Sequence, residues 1–236
     1  DTLYYGAAGA PTLLAKPGTP ADEVLTFATG ATAPSWAAAG GGGGLAGMIV
    51  YTGADTWIKA TRETALGVTI TKVIVEVQAG GAGGGKSDEY WYHIGGSGGG
   101  YAKKFIDVSS ITSSTIAVGS GGAGATGYGA GADGGNSSWT DGTNTVTGVK
   151  GVGSYGVNSG ISYGGTSSGG DINITGGNGS GSSHYNVGGD SVMGTGGLGT
   201  GATTTPGVGY GAGGGGKYEG TGGAGTAGVV IVWEYQ

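Results

Sequence analysis

The sequence predicts an all-β chain in which short strands frame a glycine-dominated body, and three observations predict it. Glycine supplies 64 of 236 residues, about 27%, and it clusters in runs such as residues 40–44. Collagen would instead need it at every third position. The chain also carries 13 Tyr and 5 Trp with only 10% charged residues, whereas disordered chains are poor in aromatics and rich in net charge. Apolar residues either alternate or form short runs, and no segment holds the 3.6-residue period long enough to specify a helix.

The elements follow in chain order. Residues 1–39 contain four glycines and a scatter of apolar groups, among them Leu13, Leu14, Val24, Leu25, Phe27 and Trp36. That is too little for a core of their own, and residues 1–46 read as a connector or stalk preceding a glycine-rich β domain over 47–236. Residues 47–51 and 55–61 supply two short strands. Lys72–Gln78 alternates, with Val73, Val75 and Val77 on one face and Lys72, Glu76 and Gln78 on the other. Residues 101–108 and 115–118 flank a polar stretch, 109–114, and read as a hairpin. Val229–Tyr235 is almost wholly apolar, as a strand covered on both faces would be.

Between residues 79 and 228 lie 52 of the 64 glycines. Each costs about 0.5–1 kcal/mol relative to Ala in regular structure, so the missing side chains must give contacts in return. Polyglycine II segments, extended helices with three residues per turn, do this by packing backbone on backbone and hydrogen-bonding to one another. The expected segments are 80–85, 95–100, 119–124, 194–199 and 211–216. The competing reading makes the same runs loops on a β-sandwich.

Composition removes several chemistries. Zero Cys excludes disulfides, thiolate catalysis and Cys-ligated metals. A net charge of −6 gives no footprint for nucleic acid, and no apolar run approaches the roughly 20 residues of a membrane-spanning helix. Residues 80–87 match the P-loop pattern letter for letter, but the following residues run into Gly95 and Gly96 and leave no room for the helix whose N-terminus would hold phosphate. Nucleophile-elbow patterns at 95–99 and 165–169 and a dinucleotide pattern at 129–134 are equally cheap in glycine-rich sequence. His93 and His184 lack metal-binding partners at helical spacing. The chain is expected to be no enzyme, with no catalytic residue, metal or cofactor.

The informative features are aromatic islands between the glycine runs. Tyr90, Trp91, Tyr92 and His93 form one; Trp139, Tyr155 and Tyr163 lie in a second, His184 and Tyr185 in a third, and Tyr218 in a fourth. Tyr and Trp beside Ser, Gly and Asn give rigid, amphipathic contact area at low entropic cost, as binding loops do. These ten are the candidate receptor-binding residues; the alternative is that such rings fill gaps which glycine leaves in the core.

The stretch Leu13-Leu14-Ala15-Lys16-Pro17-Gly18-Thr19-Pro20-Ala21-Asp22-Glu23-Val24-Leu25-Thr26, followed by Ala31-Thr32-Ala33-Pro34-Ser35-Trp36, resembles a connector common in bacteriophage tail fibres. The remainder resembles the glycine-rich domain at the ends of such fibres. The matching parts are Asp55-Thr56-Trp57, residues 67–78 leading into the first glycine run, residues 98–104, residues 115–119 and the ending 225–232. The extra residues between Trp57 and Val68 depart from that pattern, which has a tight turn there. The resemblance implies a homotrimeric virion protein that joins an upstream tail-fibre or virion protein and attaches the particle to a bacterial surface receptor, a polysaccharide or an outer-membrane protein. Two rivals remain: a self-assembling extracellular filament, and a polysaccharide depolymerase, which needs two carboxylates about 5–9.5 Å apart in a groove.

Overall fold

The computed structural model describes residues 44–87, 94–153, 160–181, 185–200 and 203–236, with the side chain of Tyr185 excepted, and the backbone of four short strands before them. The chain divides between Gly44 and Leu45. In the first unit Thr2–Tyr5 pairs with Pro11–Leu14 and Glu23–Thr26 with Ser35–Ala38, both antiparallel.

The second unit starts as a sandwich of two antiparallel sheets. The first places its strands in the order Ile172–Ile174, Tyr101–Asp107, Lys72–Gln78, Val229–Tyr235, Leu45–Tyr51. The second runs Ser167–Ser168, Thr145–Gly148, Ser137–Thr140, Ser113–Ala117, Asp55–Ile58. The alternation in Lys72–Gln78 works as expected: Val73, Val75 and Val77 are buried together with Ala102, Ile106, Val230 and Val232. The second sheet meets them with Trp57, Ile116, Trp139 and Val146. Full burial of side chains of this kind contributes roughly 1.5–3 kcal/mol each. Val229–Tyr235 is central in its sheet, but the expected covering of both faces holds only in part: Val230, Val232 and Glu234 are buried in the sandwich, while Ile231, Trp233 and Tyr235 on the other face are half-buried.

Two expectations are corrected. Residues 101–108 and 115–118 do not form a hairpin: Tyr101–Asp107 pairs with Lys72–Gln78 in the first sheet, and Ser113–Ala117 pairs with strands of the second. The polar stretch between them is a crossover from one sheet to the other. The departure after Trp57 is a helix, Lys59–Leu66, too short for apolar periodicity to reveal. It ends on Gly67, whose φ of +71° closes the last turn through a 2.8 Å bond to Glu63 O. Its purpose in the fold is visible at Arg62, which clamps the fully buried Glu234 carboxylate through two bonds of 2.8 and 2.7 Å, while Trp57 Nε1 donates a third at 2.8 Å.

Several of the sandwich strands continue into, or emerge from, glycine-rich runs, and there the bonding rule changes from period two to period three. Ala79, Ala82 and Gly85 donate to Gly100, Ser97 and Ile94; Gly80 and Gly83 donate to Gly135 and Ala132; Gly81 and Gly84 donate to Thr226 and Gly223. All seven bonds are 2.8–3.0 Å. Every third amide therefore meets the same neighbouring run, so residues 79–85 have three run neighbours where a strand has two. The run 95–100 behaves alike, sending Gly95 and Gly98 to Ser180 and Gly177, Gly96 and Gly99 to Gly214 and Gly211, and Ser97 and Gly100 to Val152 and Val149.

Glycine is required here by space. A Cβ on Gly84 would overlap Gly215 O, and one on Gly100 would overlap Thr166 O. Torsion is not the reason, since in the runs 80–85, 95–100, 119–124 and 211–216 only Gly211 has a left-handed φ, +75°. The run 119–125 lies at the surface of the bundle and shows the rule in its burial: 119, 122 and 125 are buried, while Ser120 and Ala123 are exposed where side chains fit. The expected segment 194–199 differs, because Gly194–Thr195 and Leu198–Thr200 within it are short strands.

Candidate functional site

The runs leave the sandwich, reverse, and come back, and their turning points gather at the far end of the glycine bundle. Lys86 and Gly129 exchange two backbone bonds of 2.9 and 3.0 Å. Lys217–Tyr218 lies parallel to Lys86–Ser87, in register Lys217 to Lys86 and Tyr218 to Ser87. Gly216 donates to Asn186 O, and Tyr185–Val187 pairs with Leu198–Thr200. Gly181 donates to Gly160 O at 2.7 Å, and Gly95, next to Ile94, donates to Ser180 O. The flanks of residues 86–94, 126–129, 153–160, 181–185, 200–203 and 217–221 thus share one end, held by backbone bonds between runs.

Most of the aromatic islands belong to these turning points. Tyr90, Trp91, Tyr92 and His93 lie outside the described residues, between Ser87 and Ile94, and the neck of that segment is closed by the Gly85 amide on Ile94 O. Tyr155 and His184 also lie outside them, within the segments that leave Gly153 and Gly181. Tyr185 opens a strand at this end, and Tyr218 is half-buried there. Tyr163 follows Ile161–Ser162, which is tied to the bundle by Ser162 Oγ donating to Gly95 O, and its ring is 74% exposed.

Trp139 is corrected. It is fully buried in the sandwich, in register with Ile116 and Val146, with its ring 5.5 Å from that of Trp57. An inward position on a central strand forces it into the core, where it fills the space between the sheets; it offers no surface to a ligand. Beyond it, the Asp141 turn closes the hairpin to Thr145–Gly148. Burial opposes ionisation of that carboxyl, but the amides of Asn144 and Thr143 and the Asn144 side chain hold it below the usual aspartate range.

The sequence reading missed Tyr128. Its ring is 66% exposed, and Lys86 Nζ sits 5.2 Å from its centroid while donating to Thr126 O at 3.2 Å. The signal was present: Tyr128 stands alone in a reversal between two glycine runs, like the islands already chosen. Glu219 adds a second mark of the same end, with φ +42°, the sole non-glycine left-handed residue among those described. Such backbone strain gathers where loops are shaped for contact.

The P-loop match is explained by the bundle. The amides of residues 80–85 all donate to carbonyls of neighbouring runs, so none is left to cradle phosphate. Among the described residues no cluster of metal-ligating side chains occurs, and no helix is long and apolar enough to cross a membrane. The described carboxylates with pronounced partners serve the fold: Asp133 holds Lys150 at 2.7 Å, Asp171 holds Lys104 at 3.5 Å, and Asp190 accepts the Gly196 amide at 2.7 Å. No known protein family matches the chain, and no curated protein is detectably similar to it.

Proposed function

We propose that this chain is the receptor-binding tip of a bacteriophage tail fibre, a homotrimeric, non-enzymatic virion protein that attaches the particle to a bacterial surface. The observation that carries this reading is the convergence of the turning points, with the aromatic islands in their sequence, on one end of a bundle made of backbone. The finer description of that bundle is a sandwich of polyglycine II helices. Bonding to three neighbours with every third amide sent to the same one is what three residues per turn require, and the buried and exposed thirds of residues 119–125 follow the same period.

The chemistry suits attachment. A recognition surface loses less on binding when its supports are fixed beforehand, and the described residues flanking the islands are bonded between runs. Tyr and Trp faces beside Asn, Ser and Asp fit sugar rings or exposed loops of an outer-membrane protein. Residues 1–46 serve as the connector to an upstream fibre or virion protein. Three modest sites on one trimer, and several fibres on a particle, give strong attachment through effective concentration.

The test is binding of the labelled chain to a panel of bacterial strains, read by flow cytometry. The reading expects binding to a subset of strains that falls at least tenfold when Tyr90, Trp91 and Tyr92 are all replaced by Ala, with unfolding unchanged. Binding to no strain, or equal binding by the triple variant, contradicts it.

A further inference from the structure

The first sheet buries one face in the sandwich; on its other face the row Tyr101, Gln78, Val229 is buried beside the glycine runs, and the remaining rows are predominantly apolar with no partner among the described residues. Strand registers place the outward residues in rows. One row runs Phe105, Ile74, Trp233, Met48; the next runs Ile172, Lys103, Glu76, Ile231, Val50; a third begins Ile174, Tyr101. Phe105 is 51% exposed, Ile172 51%, Met48 48%, Val50 43% and Ile174 42%. Apolar groups scattered singly over a surface are ordinary, but here the half-buried Ile74, Ile231 and Trp233 lie between the exposed ones in the strand registers and join them across the sheet.

The central charged groups of this face, Glu76 and Lys103, are satisfied within it. Glu76 accepts from Tyr101 Oη at 2.9 Å, from Trp233 Nε1 at 3.0 Å, and pairs with Lys103 at 3.2 Å. Lys72 stands opposite Asp107 in the strand register. Covering the middle of the face therefore leaves the Glu76–Lys103 pair and the Tyr101 and Trp233 donors with their partners, a condition that a surface meant for water need not meet. Its charges cancel locally although the chain carries −6, so the face gives no handle to a charged partner, and an acidic chain is repelled by anionic lipid.

We infer that this outer face is the surface on which copies of this chain assemble, with Phe105, Ile74, Trp233, Met48, Val50 and Ile172 packed against the same face of neighbouring copies. A charge-balanced, internally satisfied apolar face is complementary to itself, which suits closed assemblies of identical chains. The area is near the lower limit. Five strands about 4.8 Å apart, over some four residue steps of about 3.4 Å, give roughly 20 by 14 Å, on the order of 300 Å² in projection. Three such faces around an axis bury on the order of 900 Å², close to the roughly 1,000 Å² that a specific interface needs. The inference rests on the homo-oligomeric part of the reading above and adds to it the surface that holds the copies; it is independent of what the far end binds.

The experiment is sedimentation equilibrium of the full chain, wild type against Phe105→Glu and Met48→Glu, with circular dichroism to verify the fold. The expected result is a trimer for wild type and a threefold lower mass for each variant with unchanged strand signal. A Val50→Cys variant supplies a second readout, since the chain has no other thiol: a short bis-maleimide should join copies through it. Variants that keep the wild-type mass, with no crosslinking through the introduced thiol, overturn the surface and leave the oligomer standing. A wild type that sediments as a monomer overturns both, whether that thiol is then shielded by residues 1–43 of its own chain or the protein floats with neutral phosphatidylcholine vesicles. The triple-alanine comparison on cells is made within one oligomeric state, so the attachment reading is judged separately.

Discussion

Glu234 is the residue on which the sandwich most depends for a charge, because it is fully buried and its three donors come from Trp57 and Arg62. Removing one partner of such a pair leaves an uncompensated buried charge, so Arg62→Ala should cost roughly 3–5 kcal/mol in urea unfolding. A loss below about 1 kcal/mol would show that water reaches Glu234. Tyr51, packed beside the same group, has its phenol pushed up to about 12, first by burial and then by Asp55. With the folded value above the ordinary 10, its contribution is complete below pH 10 and fades as pH rises from 10 through 12. Tyr51→Phe should therefore flatten the alkaline loss of stability in that window, and an unchanged profile would assign the loss to another group. Glu219 holds a left-handed backbone, φ +42°, so Glu219→Gly should raise stability by about 0.5–1 kcal/mol in the same assay.

At the scale of elements, the strands were legible and their partners were not. Lys72–Gln78 and Val229–Tyr235 announce themselves because a side chain at every second position records which face is buried. The runs 80–85 and 95–100 record nothing of that kind: a glycine facing Gly135 O reads the same as one facing Gly100 O. Glycine's cost made the need for compensating contacts legible, but the identity of the three neighbours had to come from the backbone bonds. The helix Lys59–Leu66 was hidden by its length, and Trp139 by the fact that a ring in the core and a ring on a loop are the same letter. Of the candidate site, the turning points were visible as islands, yet Tyr128 was passed over as a single residue. The run 119–125 gives the element its test. A Cβ on Gly122 would overlap Ala132 O, while Ser120 and Ala123 face solvent. Gly122→Ala should destabilise by several kcal/mol, on the scale of an overpacked core at about 1–3 or more, whereas Ser120→Ala and Ala123→Ser should stay within about 0.5 kcal/mol. Equal effects at the three positions would remove the threefold rule.

At the scale of the whole molecule, a conventional sandwich, whose core is side chains, is joined to a bundle whose core is backbone, and the far end of the bundle is the surface proposed for contact with a cell. The sandwich supplies the hydrophobic stabilisation and fixes where each run begins; the runs carry that order outward to the turning points, where Tyr218, Tyr128 and the flanks of residues 88–93 sit. Everything at this scale depends on the runs 79–85, 95–100 and 119–125 keeping backbone bonding of period three with their neighbours. Amide hydrogen exchange by NMR across residues 119–125 reads that packing out position by position. The amides of 119, 122 and 125 are bonded to Ser137 Oγ, Gly81 O and Gly84 O, while those of 120 and 123 belong to exposed residues. Slow exchange at 119, 122 and 125 with fast exchange at 120 and 123 is the expected result; alternating protection, or uniformly fast exchange along the run, would contradict it.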